Sequence, residues 1–287
     1  MNIDLHIHTK ASDGTMTPSE VVAEAASRGL TVISITDHDT TDGLEEAIEA
    51  GRRHGIVVIP GVEISSADPR EEVHLLGYYM DYHAAQFQAF LEAPRVSRVA
   101  RIRRMCERLA ACGVQVSPDE VLEEAGGSDS VGRPHLARVM VKKGYVSSMD
   151  EAFERFLGDG APGYVKRSKN SVDETIEAIH RHGGISVIAH PGLFKNQDMV
   201  GHLIAKGVMG IEAYCHEHTA DMVERYLEIA AKAKLLVTGG SDYHGAMLEK
   251  SFRLGDLEVP ERCYWALEGA YRGMARRRGA CCPTLER

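Results

Sequence analysis

Asp4-Leu5-His6-Ile7-His8-Thr9 is a short apolar run that carries an acid and two histidines at every second position. Alternate side chains of a strand point to one face, so Asp4, His6 and His8 are expected on the same side. The pattern of ligand-type residues set against an apolar run recurs along the chain. It stands at Thr36-Asp37-His38-Asp39, Gly61-Val62-Glu63-Ile64-Ser65, His74-Leu75-Leu76-Gly77-Tyr78, Ala189-His190-Pro191 and Gly240-Ser241-Asp242-Tyr243-His244. Five of the six stretches follow or end a strand-like run, whereas His74 opens one. Neutral imidazoles and carboxylates are the ligands that first-row divalent metals take. One such pair would signify little. Six in register along one chain point to a metal cluster.

Outward from these stretches, strand and helix signals alternate. Strands are expected over 2–8, 31–36, 56–59, 74–79, 185–188, 208–214 and 235–238. Thr17-Pro18-Ser19-Glu20 is a capping box with proline at the first helical position, opening a helix that runs to about Arg28. Further helices are expected over 42–54, ending at Gly55, over 171–182 behind the box Ser171-Val172-Asp173-Glu174, and near 197–206 and 219–233. Alternation of this kind predicts a parallel sheet. Seven strands with acids and histidines at their carboxyl ends suggest a closed or nearly closed barrel with its site at that face.

Strand signals vanish between about 84 and 168, where every signal is helical. Ser117-Pro118-Asp119-Glu120 caps one helix there, and others are expected at 134–143 and 149–157. Arg95, Arg98, Arg101, Arg104 and Arg108 fall three or four apart on another, opposite Val96, Val99, Ile102, Cys106 and Leu109. That arrangement reads as a solvated face over a packed one, with a phosphate-backbone contact as the alternative. An all-helical block between two strands reads as a cap subdomain, 84–168, inserted in a barrel made of 1–83 and 169–287. Gly126 to Ser130 reads as a flexible loop, and the tail from Arg276 through Pro283 as a frayed surface segment. His54, His83, His180, His182 and His202 fall outside the motifs and are expected at the surface.

The 287 residues suit one large domain or a domain with an insertion, and 44% hydrophobic with 26% charged residues is ordinary globular composition. No apolar run approaches the ~18 residues that span a bilayer, so no membrane partner is expected. Met1-Asn2-Ile3-Asp4 lacks the profile of a secretory signal, which makes the cytoplasm the expected compartment. Six cysteines with no CxxC pair read as reduced thiols. A net charge of −9 argues against a footprint for long duplex nucleic acid. Nothing in the sequence indicates an oligomeric state.

Taken jointly, the runs Asp4 to Thr9, Thr36 to Asp39, Gly61-Val62-Glu63, His190-Pro191 and Gly240 to His244 resemble the PHP domain (polymerase and histidinol phosphatase). The resemblance implies an α/β fold, a distorted (β/α)7 TIM-like barrel, and a metal-dependent phosphoric ester hydrolase. It also implies three divalent ions, manganese by resemblance, with zinc or iron also suited to mixed nitrogen and oxygen ligation. His6, His8, Glu63 and Asp242 would hold the first ion. Glu63 would bridge to a second, completed by His74 and His190, and Asp13, His38 and His244 would hold the third. Three divalent cations would outweigh the carboxylates of Glu63, Asp13 and Asp242, leaving positive charge for a phosphoryl group. Asp4, Asp37 and Asp39 are expected to orient imidazoles through the second ring nitrogen.

Gly132-Arg133-Pro134-His135 opens a helix of the cap, where backbone amides and a guanidinium suit a phosphate. The same four residues are similar to the PHP branch that removes the 3′-phosphate from nucleoside 3′,5′-bisphosphates and trims short RNA from its 5′ end. The resemblance implies that Arg133 and His135 reach the substrate phosphate. It further implies that His216 or His218, of which His218 is favoured, faces the substrate as a catalytic group. Tyr164 and Lys166 are further candidates for base stacking and phosphate contact. The expected partner is therefore a small nucleotide or short oligoribonucleotide. The alternatives are a histidinol-phosphate phosphatase, an exonuclease on longer chains, and a non-catalytic metal-stabilised scaffold.

Overall fold

The computed structural model describes residues 1–126, 130–166, 169–196, 198–245 and 253–278, without the side chains of 93–97. Seven strands form one curled sheet in chain order: β1 Ile3–Ile7, β2 Val32–Ile35, β3 Val57–Ala67, β4 Glu72–Tyr78, β5 Ile185–Ile188, β6 Gly210–Tyr214 and β7 Leu236–Gly239. All five residues of β1 and all four of β2 are buried, as strands covered on both faces must be. Beyond β7 the chain returns to β1: Asp242 N–H donates to His6 O at 2.9 Å and His8 N–H to Tyr243 O at 2.9 Å. The two ends of the sheet therefore meet beside the predicted metal residues.

The expected all-parallel sheet is corrected at one strand. β4 runs antiparallel to both β3 and β5, while the remaining neighbours are parallel. The link from β3 to β4 spans only residues 68–71, too short for the crossover that a parallel neighbour needs. The reversal explains why His74 opens its strand when the other motifs close theirs. An antiparallel strand presents its first residues at the end where parallel strands present their last.

The expected helices of the sheet layer form as α1 Pro18–Ser27 and α2 Leu44–His54. Thr17 closes its capping box on Glu20, and Gly55 ends α2 at φ 70°. The helical stretch gives α3 Ala85–Ala111, α4 Pro118–Glu124, α5 Arg133–Lys142 and α6 Met149–Ala152, the last continued by a π-helical turn, Phe153–Leu157. These helices have an apolar cluster of their own, with Ile102, Leu109, Val121, Leu136, Met140 and Leu157 all buried. Then come α7 Val172–Arg181, α8 Met199–Ala205 and α9 Ala220–Ala233. None of the helices among the described residues is long and apolar enough to cross a membrane.

One helix lies beyond the expected set. α10, Arg262–Arg277, buries Cys263, Tyr264 and Leu267 in a cluster that includes Ile3, Tyr78 and Val187. Spacing of three and four through Cys263, Leu267, Ala270 and Met274 carries the signal, masked by Gly269 and Gly273. Arg276 and Arg277 are thus helical rather than frayed, and the rest of that tail beyond residue 278 lies outside the described residues, with Cys281 and Cys282. So do Gly127, Ser128 and Asp129 of the expected loop and the side chains of Arg95 and Val96. The four described cysteines, Cys106, Cys112, Cys215 and Cys263, are free thiols.

Candidate metal centre

The ends of six strands bring all nine predicted ligands to one place. His6 lies near the end of β1 and His8 just after it, Asp13 lies in the loop behind, and His38 follows β2. Glu63 sits within β3, His74 near the start of β4, His190 just after β5, and Asp242 and His244 after β7. Three sets have ligand atoms within 4.8 Å of one another: His6, His8, Glu63 and Asp242; His8, Asp13, His38 and His244; and His38, Glu63 and His74. His190 Nε2 adds itself to the third set at 2.9 Å from Glu63 Oε1. His38 belongs to two sets, not only to the set of Asp13 and His244.

The spacing suits ligands gathered around cations. His6 Nε2 and His8 Nε2 lie 3.1 Å apart, and each faces Asp242 Oδ1, at 3.3 and 3.0 Å. Donors bonded to one ion at about 2.1 Å stand roughly this far from each other. Glu63 is fully buried, with His74 Nδ1 2.9 Å from its Oε1 and His38 Nδ1 2.9 Å from its Oε2. His38 Nδ1, His74 Nδ1, Glu63 Oε2 and Asp242 Oδ1 are buried with no aligned hydrogen bond. Buried polar atoms in folded proteins are paired in the great majority, so four orphans at one point mark a place for a bound group. The donor set of imidazoles and carboxylates fits divalent metal ions.

Electrostatics say the same. Burial opposes ionisation of Glu63, yet the imidazoles of His38, His74 and His6 hold it well below the usual carboxylate range. Asp13 and Asp242 are likewise held low against burial, Asp13 chiefly by His38 and His244, Asp242 by His6 and His244. Burial pulls His8 down, but Asp242 and Glu63 outweigh it and push it up to about 10. The acids thus require positive charge at their centre, from protons or from metal cations.

Backbone strain concentrates at the same place. Asp39, His190 and Asp242 all adopt positive φ, at 54°, 28° and 53°, a conformation that L-residues hold only when their surroundings impose it. Gly240 is obligatory for a different reason: a Cβ there would lie 2.3 Å from His6 N and Cβ. β7 can approach the ligand strand only through a residue with no side chain.

The three aspartates expected to orient imidazoles do other work, and the expectation is corrected for each. Asp4 accepts from the backbone N–H of His6 at 3.2 Å and of Ser241 at 2.9 Å, with burial raising its pKa to about 6. Asp37 accepts from Thr9 N–H and Oγ1, both at 2.7 Å, and from Ser12 Oγ, so it fastens the loop that carries Asp13. Asp39 accepts from Ser65 N–H at 2.9 Å and from the Arg98 guanidinium, Nε at 3.0 Å. The carboxylate that does face an imidazole is Glu212 on β6, 3.0 Å from His6 Nδ1, whose other oxygen takes the His190 N–H at 2.8 Å. Its signal stands in Gly210-Ile211-Glu212-Ala213-Tyr214, an acid facing the interior of a buried strand.

Arg98 also corrects the arginine stripe. It is 7% exposed and paired with Asp39, while Arg101 Nε donates to Val165 O at 2.6 Å and Arg108 Nε to Pro162 O at 2.7 Å. Arg98 is thus covered, and Arg101 is half-covered by the returning chain, while Arg104 and Arg108 remain exposed, so the solvated face holds for only part of the stripe. Two further tethers reach from the helical stretch to ligand loops: Arg138 Nη1 donates to Asp13 O at 3.1 Å, and Ser130 Oγ to His38 O. Arg98→Met strands the Asp39 carboxylate without its guanidinium and is expected to destabilise the fold by about 3–5 kcal/mol. Urea unfolding checks this, and Arg98→Met with Asp39→Asn should recover part of the loss; unchanged stability in the single variant would discount the pair.

The expected substrate residues are less uniform. His135 is buried, holds the Gly132 N–H on its Nδ1 at 3.1 Å, and is kept neutral by burial, its pKa lowered to about 4. It therefore caps its own helix while lining a cavity of about 310 Å³ with Lys10 and Arg138. Arg133 donates to Leu157 O at 3.3 Å, faces Asp159 at 3.5 Å, and lies over the rings of Phe153 and Tyr164. Tyr164 and Lys166 line a separate cavity of about 250 Å³ with Glu72 and Lys169, the latter a buried lysine outside the expected set, paired with Glu72. His218 lies 2.8 Å from Ala213 O through Nδ1 and receives the Gly192 N–H on Nε2 at 3.0 Å. Both its ring nitrogens have backbone partners, an arrangement that steadies the loop after His190 and does not offer a proton to a substrate. Of the histidines expected at the surface, His54 and His83 are exposed. His180, His182 and His202 are part-buried, against Ser186, Ala178 and Asp68.

Comparison with known proteins follows the same lines. A family model described as the PHP domain matches residues 4–237. A 3′,5′-nucleoside bisphosphate phosphatase of Chromobacterium violaceum is 36% identical over 85% of this chain and 87% of its own. A phosphoribosyl 1,2-cyclic phosphate 1,2-diphosphodiesterase of Eggerthella lenta is 33% identical over 84% and 94%. A 5′-3′ exoribonuclease of Haemophilus influenzae is 33% identical over 90% and 96%. Among solved structures, a protein of Bifidobacterium adolescentis provisionally assigned as a metal-dependent phosphoesterase superposes with a TM-score of 0.86. It is 33% identical, over 92% of this chain and 94% of the other.

Proposed function

The chain belongs to the PHP domain family, and from that membership we propose that it is a metal-dependent phosphohydrolase of nucleoside 3′,5′-bisphosphates, releasing the 3′-phosphate. The observation that carries the reaction type is the buried knot at Glu63, where imidazoles and carboxylates converge with orphaned ligand atoms. The substrate class rests on the likeness to the nucleoside bisphosphate phosphatase and on the Gly132-Arg133-Pro134-His135 helix start. Likeness to the exoribonuclease supports a second reading, trimming of short 5′-phosphorylated RNA at the same site.

His6, His8, Glu63 and Asp242 would hold one divalent ion, Glu63 with His74 and His190 a second, and Asp13, His38 and His244 a third. Manganese is the ion we favour, with zinc or iron served by the same donors. Such ions supply Lewis acidity toward a phosphoryl oxygen and lower the pKa of water toward neutrality. The protein's own part is positioning. Glu212 keeps His6 turned with Nε2 inward, and Asp37 holds the Asp13 loop through Thr9 and Ser12. Residues 84–168 act as a cap on a distorted (β/α)7 barrel. Arg98, Ser130 and Arg138 tie that cap to the loops of Asp39, His38 and Asp13, so ordering the cap and ordering the third ion's ligands are one event. Arg138 and His135 line the cavity shared with Lys10 and Gly14, where a phosphate oxygen can accept from a guanidinium.

Phosphate release by the manganese-loaded protein tests this directly. Adenosine 3′,5′-bisphosphate and 5′-phosphorylated dinucleotides should be hydrolysed well above glycerol phosphate and histidinol phosphate. Preference for histidinol phosphate, or no turnover of any ester, would overturn the assignment.

A further inference from the structure

Beside the third ligand set lies a cavity of about 200 Å³ whose walls are largely apolar. Asp13 and His244 form one end, and Pro134, Met149, Phe153 and Arg138 form the sides. Pro134, Met149 and Phe153 are only half-buried, so they keep an apolar surface turned to an open space next to ligand-type residues. The separate cavity beside Glu72 sets Tyr164 among charged groups, Asp68, Asp159, Lys166 and Lys169. An apolar, planar group therefore desolvates fewer charged groups on the Asp13 side than on the Glu72 side.

Phe153 opens the π-helical turn that continues α6, an irregularity that recurs at functional sites. The Arg133 guanidinium lies 5.6 Å from the Phe153 ring centroid and 5.8 Å from that of Tyr164. Arg133 is further fastened to Leu157 O and faces Asp159. It thus holds the aromatic ring through a cation–π contact without itself lining the cavity.

We propose that Phe153, backed by Arg133 and flanked by Met149 and Pro134, is the specificity wall that stacks the nucleobase of the substrate. The assignment rests on the phosphohydrolase reading, since a phosphate at the ligand knot brings its organic part against this wall. It also gives Arg133 a positioning role in place of a direct phosphate contact.

Equilibrium binding of adenosine 5′-monophosphate and of ribose 5-phosphate to the manganese-loaded protein, by calorimetry, reads the wall apart from turnover. The unsubstituted protein should bind the nucleotide roughly tenfold or more tightly, the range that one base–aromatic stack contributes. Phe153→Leu should shrink that ratio several-fold while ribose 5-phosphate binds as before, and Phe153→Tyr should restore it. Equal affinity for the two ligands in the unsubstituted protein, an unchanged ratio in Phe153→Leu, or a parallel fall for both ligands would overturn the assignment. Absence of phosphate release from any nucleotide would instead overturn the functional reading, and the binding ratio would still decide the wall.

Discussion

Glu63→Gln is expected to reduce phosphate release by about a thousandfold or more, because several kcal/mol of charge stabilisation would depend on the ions that the proposed assignment has this one carboxylate share. Its two oxygens face different neighbours: Oε1 meets His74 and His190, Oε2 meets His38, His8 and His6. Glutamine keeps the shape but removes the charge, and its amide nitrogen turns donor atoms toward one of the two groups. Since Glu63 belongs to two of the three ligand sets, elemental analysis should show both of those ions depleted. The fold should survive, since the amide occupies the same buried space within β3. Parental ion content together with parental turnover would remove Glu63 as the shared ligand.

Asp13→Asn should behave differently, and the contrast is the informative part. Asp13 enters a single ligand set, with His8, His38 and His244, and its carboxylate lies 3.3 Å from His244 Nε2 and 3.8 Å from His38 Nε2. Removing its charge should release one ion and leave two, with turnover falling by about a hundredfold or more, as when one electrostatic stabiliser of a transition state is lost. The Asp13 loop itself should stay in place, because Asp37 and Arg138 hold it through Ser12 Oγ and the Asp13 carbonyl. Full activity in this variant would reduce the centre to two working ions.

Eight of the nine ligand-type residues are legible in the sequence because each belongs to a short motif at or near a strand end, whereas Asp13, in the loop after β1, was indicated only by the family resemblance. The pattern even encodes the exception at His74, whose position at the start of its run reflects the reversed direction of β4. Sequence adjacency is a poor guide to the aspartates beside the ligands. Proximity to His6 or His38 along the chain does not bring a carboxylate to the ring: Asp4, on the same face as His6, is taken up by the backbone N–H groups of His6 and Ser241, and Asp37 and Asp39 by Thr9, Ser12, Ser65 and Arg98. The ring of His6 meets Glu212, which lies 206 residues further along the chain. The arginine stripe is legible only in part for a related reason: helical spacing groups Arg98, Arg101, Arg104 and Arg108, and does not tell that Arg98 is covered while Arg104 and Arg108 stay exposed.

By itself, then, the sequence determined the alternation of strands and helices with their caps, written in local spacing of two, three or four residues, and the short motifs whose resemblance to the PHP domain implied the family and the ligand set. The tertiary structure alone decided which acid turns which imidazole, that Arg98 leaves solvent for Asp39, that both nitrogens of His218 are engaged, and that Phe153 faces the cavity beside Asp13. Those outcomes depend on partners far apart along the chain, and only the closure of the sheet and the packing of the helical stretch against it bring them within a few ångströms.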